Sequence, residues 1–157
     1  MNAPDILKYG QQTALQAIDL FPAAQWETPG ACGVWSVQDV VAHLASYEEV
    51  LVDILAGFVG SDPSPRLDKY ISLADRFNDT EVQERRSQGR EQVRGSLAAA
   101  HSQVMELAGH ILPEVYSQVG TLPWYGAAYS LDDLLVYMYY GHKREHSAQI
   151  AAFQDRL

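Results

Sequence analysis

Cysteine is nearly missing from this chain, and Cys32 is the only one. No disulfide can form within a single copy, so the fold cannot rest on a covalent staple, and a reducing cytoplasm is the expected setting. Positive charge is scarce as well. Lysine and arginine number 11 against 20 aspartates and glutamates, a formal net charge of -9. Such a field repels polyphosphate and anionic lipid, which argues against a nucleic-acid or membrane partner. Long apolar runs are absent too, and none approaches the roughly 20 residues that a membrane-crossing helix needs. The opening "MNAPDILKYGQQ" lacks the basic start and apolar stretch of a secretion leader, so none is expected. There is no internal repeat, and no segment sustains the alternation of a strand.

What is present is a sizeable apolar fraction. Of 157 residues, 47% are hydrophobic and 20% charged, which fits one domain, 1–157, folded around a single core. Four stretches show helical periodicity. The first runs from about Asp5 to Phe21, with Ile6, Leu7, Leu15, Ile18 and Phe21 at helix-like intervals and Pro22 as its stop. In the second, Ser36 reads as an N-cap and Asp39 as its capping-box partner, while Trp35 and Val40 form a hydrophobic staple. Its stripe passes through Val37, Val40, Leu44, Tyr47, Leu51, Ile54, Leu55 and Phe58, and Gly57 and Gly60 mark its end.

Residues 61–79 read as a long connection, with Leu67, Ile71 and Leu73 lying against the body. Thr80 with Gln83 offers a capping box for a third helix, buried along Val93, Leu97, Val104, Leu107 and Ile111. A second long connection leads to Ser130 and Asp133, which cap the fourth helix, with Tyr129 and Leu134 as a staple. Four helices without strands imply an all-α four-helix bundle.

The fourth helix carries "HKREH" in its apolar stripe. Projected with Leu135 at the centre, His142 and His146 fall roughly 20° to either side, and Lys143 and Arg144 point to solvent. Two adjacent imidazoles in an apolar stripe must each find a partner, and one left unpaired costs roughly 1–3 kcal/mol. A divalent cation satisfies both at once, because the i, i+4 spacing lets two rings meet one ion. The third ligand expected is His43, on the flank of the second helix beside Tyr47. It reaches the same level if the two helices run antiparallel. His101 is a weaker fourth candidate beside the reading as a bonded core residue, and His110 reads as a helix-end residue. Cys32 reads as incidental.

"WSVQDVVAHLASYEE" resembles the second-helix signature of the DinB-like superfamily, Trp-Ser/Thr-x-x-Asp-x-x-x-His-Leu, matched by Trp35, Ser36, Asp39, His43 and Leu44. "HKREH" is similar to that family's His-x-x-x-His on the fourth helix, and "LFPAAQWETPG" resembles its lead-in between the first two helices. The resemblance implies an up-down-down-up bundle with a long crossover between helices 2 and 3. It further implies a divalent metal, often zinc or nickel, held by His43, His142 and His146, and a possible homodimer. It brings with it thiol-dependent transferases using mycothiol or bacillithiol, a mycothiol-dependent maleylpyruvate isomerase, and hydrolases. The isomerase branch has Glu where this chain has His142, so maleylpyruvate is not carried over.

The leading expectation is therefore a metal-dependent transferase or hydrolase acting on a small electrophilic molecule, with a low-molecular-weight thiol as possible co-substrate. Glu145 is a weak candidate base, against the alternative of a surface partner for Lys143 or Arg144. Tyr47 and Tyr139 are candidates for the pocket lining, against plain packing. The competing expectations are a non-catalytic metal-containing binding or stress-response module, and a metal-free polar core network.

Overall fold

A computed structural model describes residues 2–61 and 63–157; Met1 and Asp62, at the chain start and in the first connection, lie outside the described residues. Those residues are all helical apart from turns, with two isolated bridges, Cys32 to Trp35 and Val119 to Ser130.

Helix α1, Ala3–Leu20, starts where the Asn2 side chain accepts the Asp5 N–H at 3.0 Å. Helix α2, Val37–Phe58, has the expected box: Ser36 Oγ accepts from Asp39 N–H and Asp39 accepts from Ser36 N–H, both at 3.1 Å. It ends at Gly60, whose φ of +85° lets the Ser61 N–H turn back onto the Ala56 carbonyl at 3.0 Å. Only a residue without Cβ takes that conformation cheaply.

The first connection is more ordered than the sequence implies. It contains α3, Pro65–Leu73, and the start of α4, Phe77–Arg85. The N-terminal amides of α3 are capped from a distance, because Asp53 on α2 accepts from Arg66 N–H at 2.7 Å and Leu67 N–H at 3.2 Å. Ala74, at φ +50°, makes the corner between α3 and α4. The expected box at Thr80 does not form. Thr80 lies inside α4, the helix is interrupted by a turn over 86–89, and α5, Arg90–Ala108, begins after Gly89.

The C-terminal helix is a composite. Ser130 and Asp133 form the expected box, with Asp133 N–H donating to Ser130 Oγ at 3.2 Å and Ser130 N–H donating to Asp133 at 2.8 Å. Its first turn is α6, Leu131–Leu134; next comes a π-helical segment, Leu135–Gly141, and then α7, His142–Arg156. Tyr129 is exposed and packs on Tyr125.

Helix α2 lies along α5, and α1 along the composite helix, while α3 and α4 cover α2. The apolar core falls into two clusters. One holds Leu7, Leu51, Leu55, Val104, Leu135 and Tyr139; the other holds Ala14, Ile18, Val40, Leu44, Leu97 and Ile150. Between them each long helix contributes polar residues: Gln11 from α1, His43 and Glu48 from α2, His101 from α5, and His142, Lys143 and His146 from the composite helix.

The caps are open to test. Ser36→Ala is expected to cost about 1 kcal/mol in urea unfolding, because a formed box is lost. Thr80→Ala, inside a helix, should change stability by no more than about 0.5 kcal/mol.

Candidate metal centre

His43 sits on the buried face of α2, 2% exposed, two turns after the capped start. Trp35 packs against its ring from one side at 5.0 Å between centroids, and Tyr47 meets it edge-on from the other at 4.8 Å. The composite helix brings the other two rings. His43 Nε2 lies 2.9 Å from His142 Nε2, which lies 3.0 Å from His146 Nε2. One ligand-type nitrogen from each ring falls within 4.8 Å of the others, the one such meeting of three His, Cys, Asp or Glu side chains among the described residues. Sequence reasoning named these three residues, and the fold brings them together.

It does so by a rotation that the helical projection misses. A π-turn fits an extra residue into the helix and sets back the segment beyond it by roughly 100° relative to an unbroken α-helix. Lys143, expected in solvent, therefore takes the middle of the buried face at 2% exposure, in line with Ser147 and Ile150. His142 moves from the centre of the stripe to its half-buried flank, where it meets α2. Arg144 stays outside as expected, its guanidinium over the Tyr140 ring.

The ring protons can be placed. His146 Nδ1 lies 2.8 Å from Gln149 Oε1, a carbonyl that only accepts, so Nδ1 carries the proton and Nε2 presents its lone pair. The Met138 backbone one turn back favours a proton on the His142 ring. With its Nε2 turned to the other histidines, the nitrogen reaching Met138 is Nδ1. Two lone pairs then face each other at 3.0 Å. A single ring nitrogen in His142 also faces two partners, although it has only one donor or acceptor direction. A cation among the three resolves this. Tetrahedral zinc with nitrogens at 2.0–2.1 Å needs them roughly 3.3 Å apart; the two pairs made by His142 are within a few tenths of an ångström of that, while His43 and His146, within 4.8 Å of each other, would have to draw closer around the ion. The residues present fit a divalent ion.

Electrostatics favours the same state. Burial pushes His43 down to about 2, helped by the neighbouring His142 and His146. Burial, then His146 and Lys143, pushes His142 down to about 4 against the Met138 backbone. His146 is lowered by burial, with Gln149 and Glu145 pulling it back. Neutral imidazole is the form that coordinates a metal.

The remaining candidates lie around this centre. Tyr47 is half-buried, 4.8 Å from the His142 ring; burial, then Tyr70, pushes its hydroxyl up to about 12, so it is a donor and not a base. Tyr139 is buried, and its hydroxyl donates to the Tyr47 carbonyl at 3.0 Å. Glu145 is exposed and outside the cluster, though its charge reaches His146 and Cys32. Cys32 is half-buried, with its thiol raised by burial and by Glu145. His101 is not in the cluster; its Nδ1 lies 2.8 Å from Glu48 Oε1. His110 is exposed just beyond α5. Sequence reasoning missed Glu48, 0% exposed and ion-paired with Lys143 at 2.7 Å. Its signal was present: a carboxylate in line with Leu44, Leu51 and Leu55.

The chain is thus an all-helical protein with a buried three-histidine cluster that could hold a metal ion. A family model described as the DinB superfamily matches residues 6–150, and the chain belongs to that superfamily. Comparison with curated proteins and with solved structures gives no match. No helix among the described residues is long and apolar enough to cross a membrane.

The depressed histidines carry a pH signature. In the unfolded chain these imidazoles take up protons near pH 6.5, whereas His43 and His142 resist down to about 2 and about 4. The unfolded state then binds more protons, so the metal-free protein loses stability as pH falls below about 6.5. Melting of chelator-treated protein is expected to drop between pH 7 and pH 5, and less steeply in His43→Gln.

Proposed function

We propose that this protein is a metal-dependent enzyme whose ion is held by His43, His142 and His146, and that it acts on a small electrophilic molecule as a thiol transferase or hydrolase. The observation that carries this reading is the convergence of three neutral imidazoles, with the His142 Nε2 facing both His43 and His146 at hydrogen-bond distance although it can satisfy only one of them. Superfamily membership supports it. Zinc or nickel is the preferred ion, since both suit imidazole donors. When bound, it would supply the positive charge that favours the deprotonated form of a water or of a low-molecular-weight thiol. Three neutral ligands leave that charge uncompensated.

The chain's own residues would do the rest. Gln149 fixes the His146 tautomer. Tyr47, beside the His43 and His142 rings and packed edge-on to Tyr70, is the hydroxyl we assign to the substrate side. Tyr139 would support Tyr47 from beneath. Glu145 is the candidate for moving a proton at the rim, in reach of solvent. We read the long helices as an up-down-down-up bundle with a long crossover between α2 and α5. Support comes from the order in which each meets the two core clusters: α1 and the composite helix in one order, α2 and α5 in the other. A cytoplasmic homodimer taking a small-molecule substrate completes the proposal.

Protein prepared without a histidine tag is expected to carry about one equivalent of divalent metal per chain, and His142→Ala to lose it. Metal-loaded protein should then conjugate or hydrolyse small electrophiles in screens with and without added thiol. A full triple-alanine variant with unchanged metal content and melting would overturn the metal centre. Bound metal that no substrate or thiol approaches, with a closed shell, would instead favour the binding module.

A further inference from the structure

The polar layer holds a buried ion pair that the proposed chemistry does not use. Glu48 is fully buried and Lys143 is 2% exposed, with Nζ 2.7 Å from Glu48 Oε2. His101 approaches the other carboxylate oxygen at 2.8 Å. Burial would raise the Glu48 carboxyl, but Lys143 and His101 outweigh it and keep it ionised. Apolar residues of similar size often replace such a pair with no loss of stability, so stability alone is a poor account of its presence.

Its position offers a better one. Lys143 comes directly after His142, and Glu48 lies little more than one turn beyond His43. Three polar contacts tie α2 to the composite helix side by side: His43 with His142, the Tyr47 carbonyl with the Tyr139 hydroxyl, and Glu48 with Lys143. The first two leave the rotation of α7 about its own axis weakly determined, since an imidazole can swing at its Cβ and Tyr139 lies before α7. Ile150 and Phe153 seat α7 in the apolar core against α1, and the ion pair adds a buried charge contact that ties its rotation to α2. Were the π-turn of Leu135–Gly141 to relax into α-helix, α7 would turn by roughly 100°, carrying Lys143 out of the core and leaving Glu48 without its cation. The cost of an unpaired buried charge therefore opposes the rotation that would take His142 and His146 off the flank facing His43. Gly141, which closes the π-turn, has Val136 O at 3.2 Å from where a Cβ would stand, so the close carbonyl approach also suits glycine there.

We propose that the Glu48–Lys143 ion pair is a positioning device that sets the rotation of α7, and so aims His142 and His146 at His43. This rests on the three-histidine centre being a metal site.

The test uses cobalt(II) as the probe metal on the full chain, reading affinity by competition titration and geometry by visible absorption. The double variant Glu48→Met with Lys143→Met removes both charges together and is expected to fold with melting close to the native protein. It should nonetheless bind cobalt 10- to 100-fold more weakly, the usual loss when an outer partner of a ligand is removed, with altered d–d bands. Leu97→Ala, a core truncation away from the pair, should melt lower and keep both affinity and spectrum. Native cobalt affinity and spectrum in the folded double variant overturn the proposal. If that variant does not fold, Glu48→Gln, which keeps shape and removes charge, is read by the same two outcomes. Failure of the native protein itself to bind cobalt removes the metal centre, and the positioning role with it, a result distinct from native binding unaffected by the variants.

Discussion

Two imidazole lone pairs cannot stay face to face at hydrogen-bond distance unless a proton or a cation stands between them. That constraint organises the centre of this molecule. Gln149 and the Met138 backbone claim the outer nitrogens of His146 and His142, so the inner nitrogens are left as acceptors. Burial then denies them the protons that would otherwise separate them. What remains is three neutral rings gathered at one point, a cluster that could hold a cation, in a chain whose net charge is -9.

A site of this kind has to be supported by the core around it. The apolar interior is divided in two, and the polar residues of the long helices gather at the division. Hydrophobic packing on both sides buries most of this layer, which strengthens its electrostatic contacts and raises the cost of mispairing. The His101–Glu48–Lys143 chain joins α5, α2 and α7. It thus links three of the long helices close to the histidines. Membership of the DinB superfamily places this arrangement among helical proteins without itself naming a substrate.

Much of the frame was legible residue by residue. Ser36 with Asp39 and Ser130 with Asp133 announce helix starts because a cap is a local interaction, completed within four residues. His43, His142 and His146 stand out because imidazoles are unusual in an apolar stripe. Other features were illegible for equally physical reasons. Helix α3 is capped by Asp53 from another helix, so no local signal marks it. Thr80 carries a cap's spelling, yet the chain before it is already helical from Phe77. Lys143 looked solvent-facing because a projection assumes constant winding, and the π-turn breaks that assumption.

The sequence by itself determined the helical character, the positions of the strongest caps and the identity of the three converging histidines, since these depend on spacing and on side-chain chemistry. Only the tertiary structure decided which way α7 faces and which side chains fill the polar layer. Those outcomes depend on matching a carboxylate on α2 to an ammonium nearly 100 residues later, at 2.7 Å, and a charge can be buried only where its partner already waits.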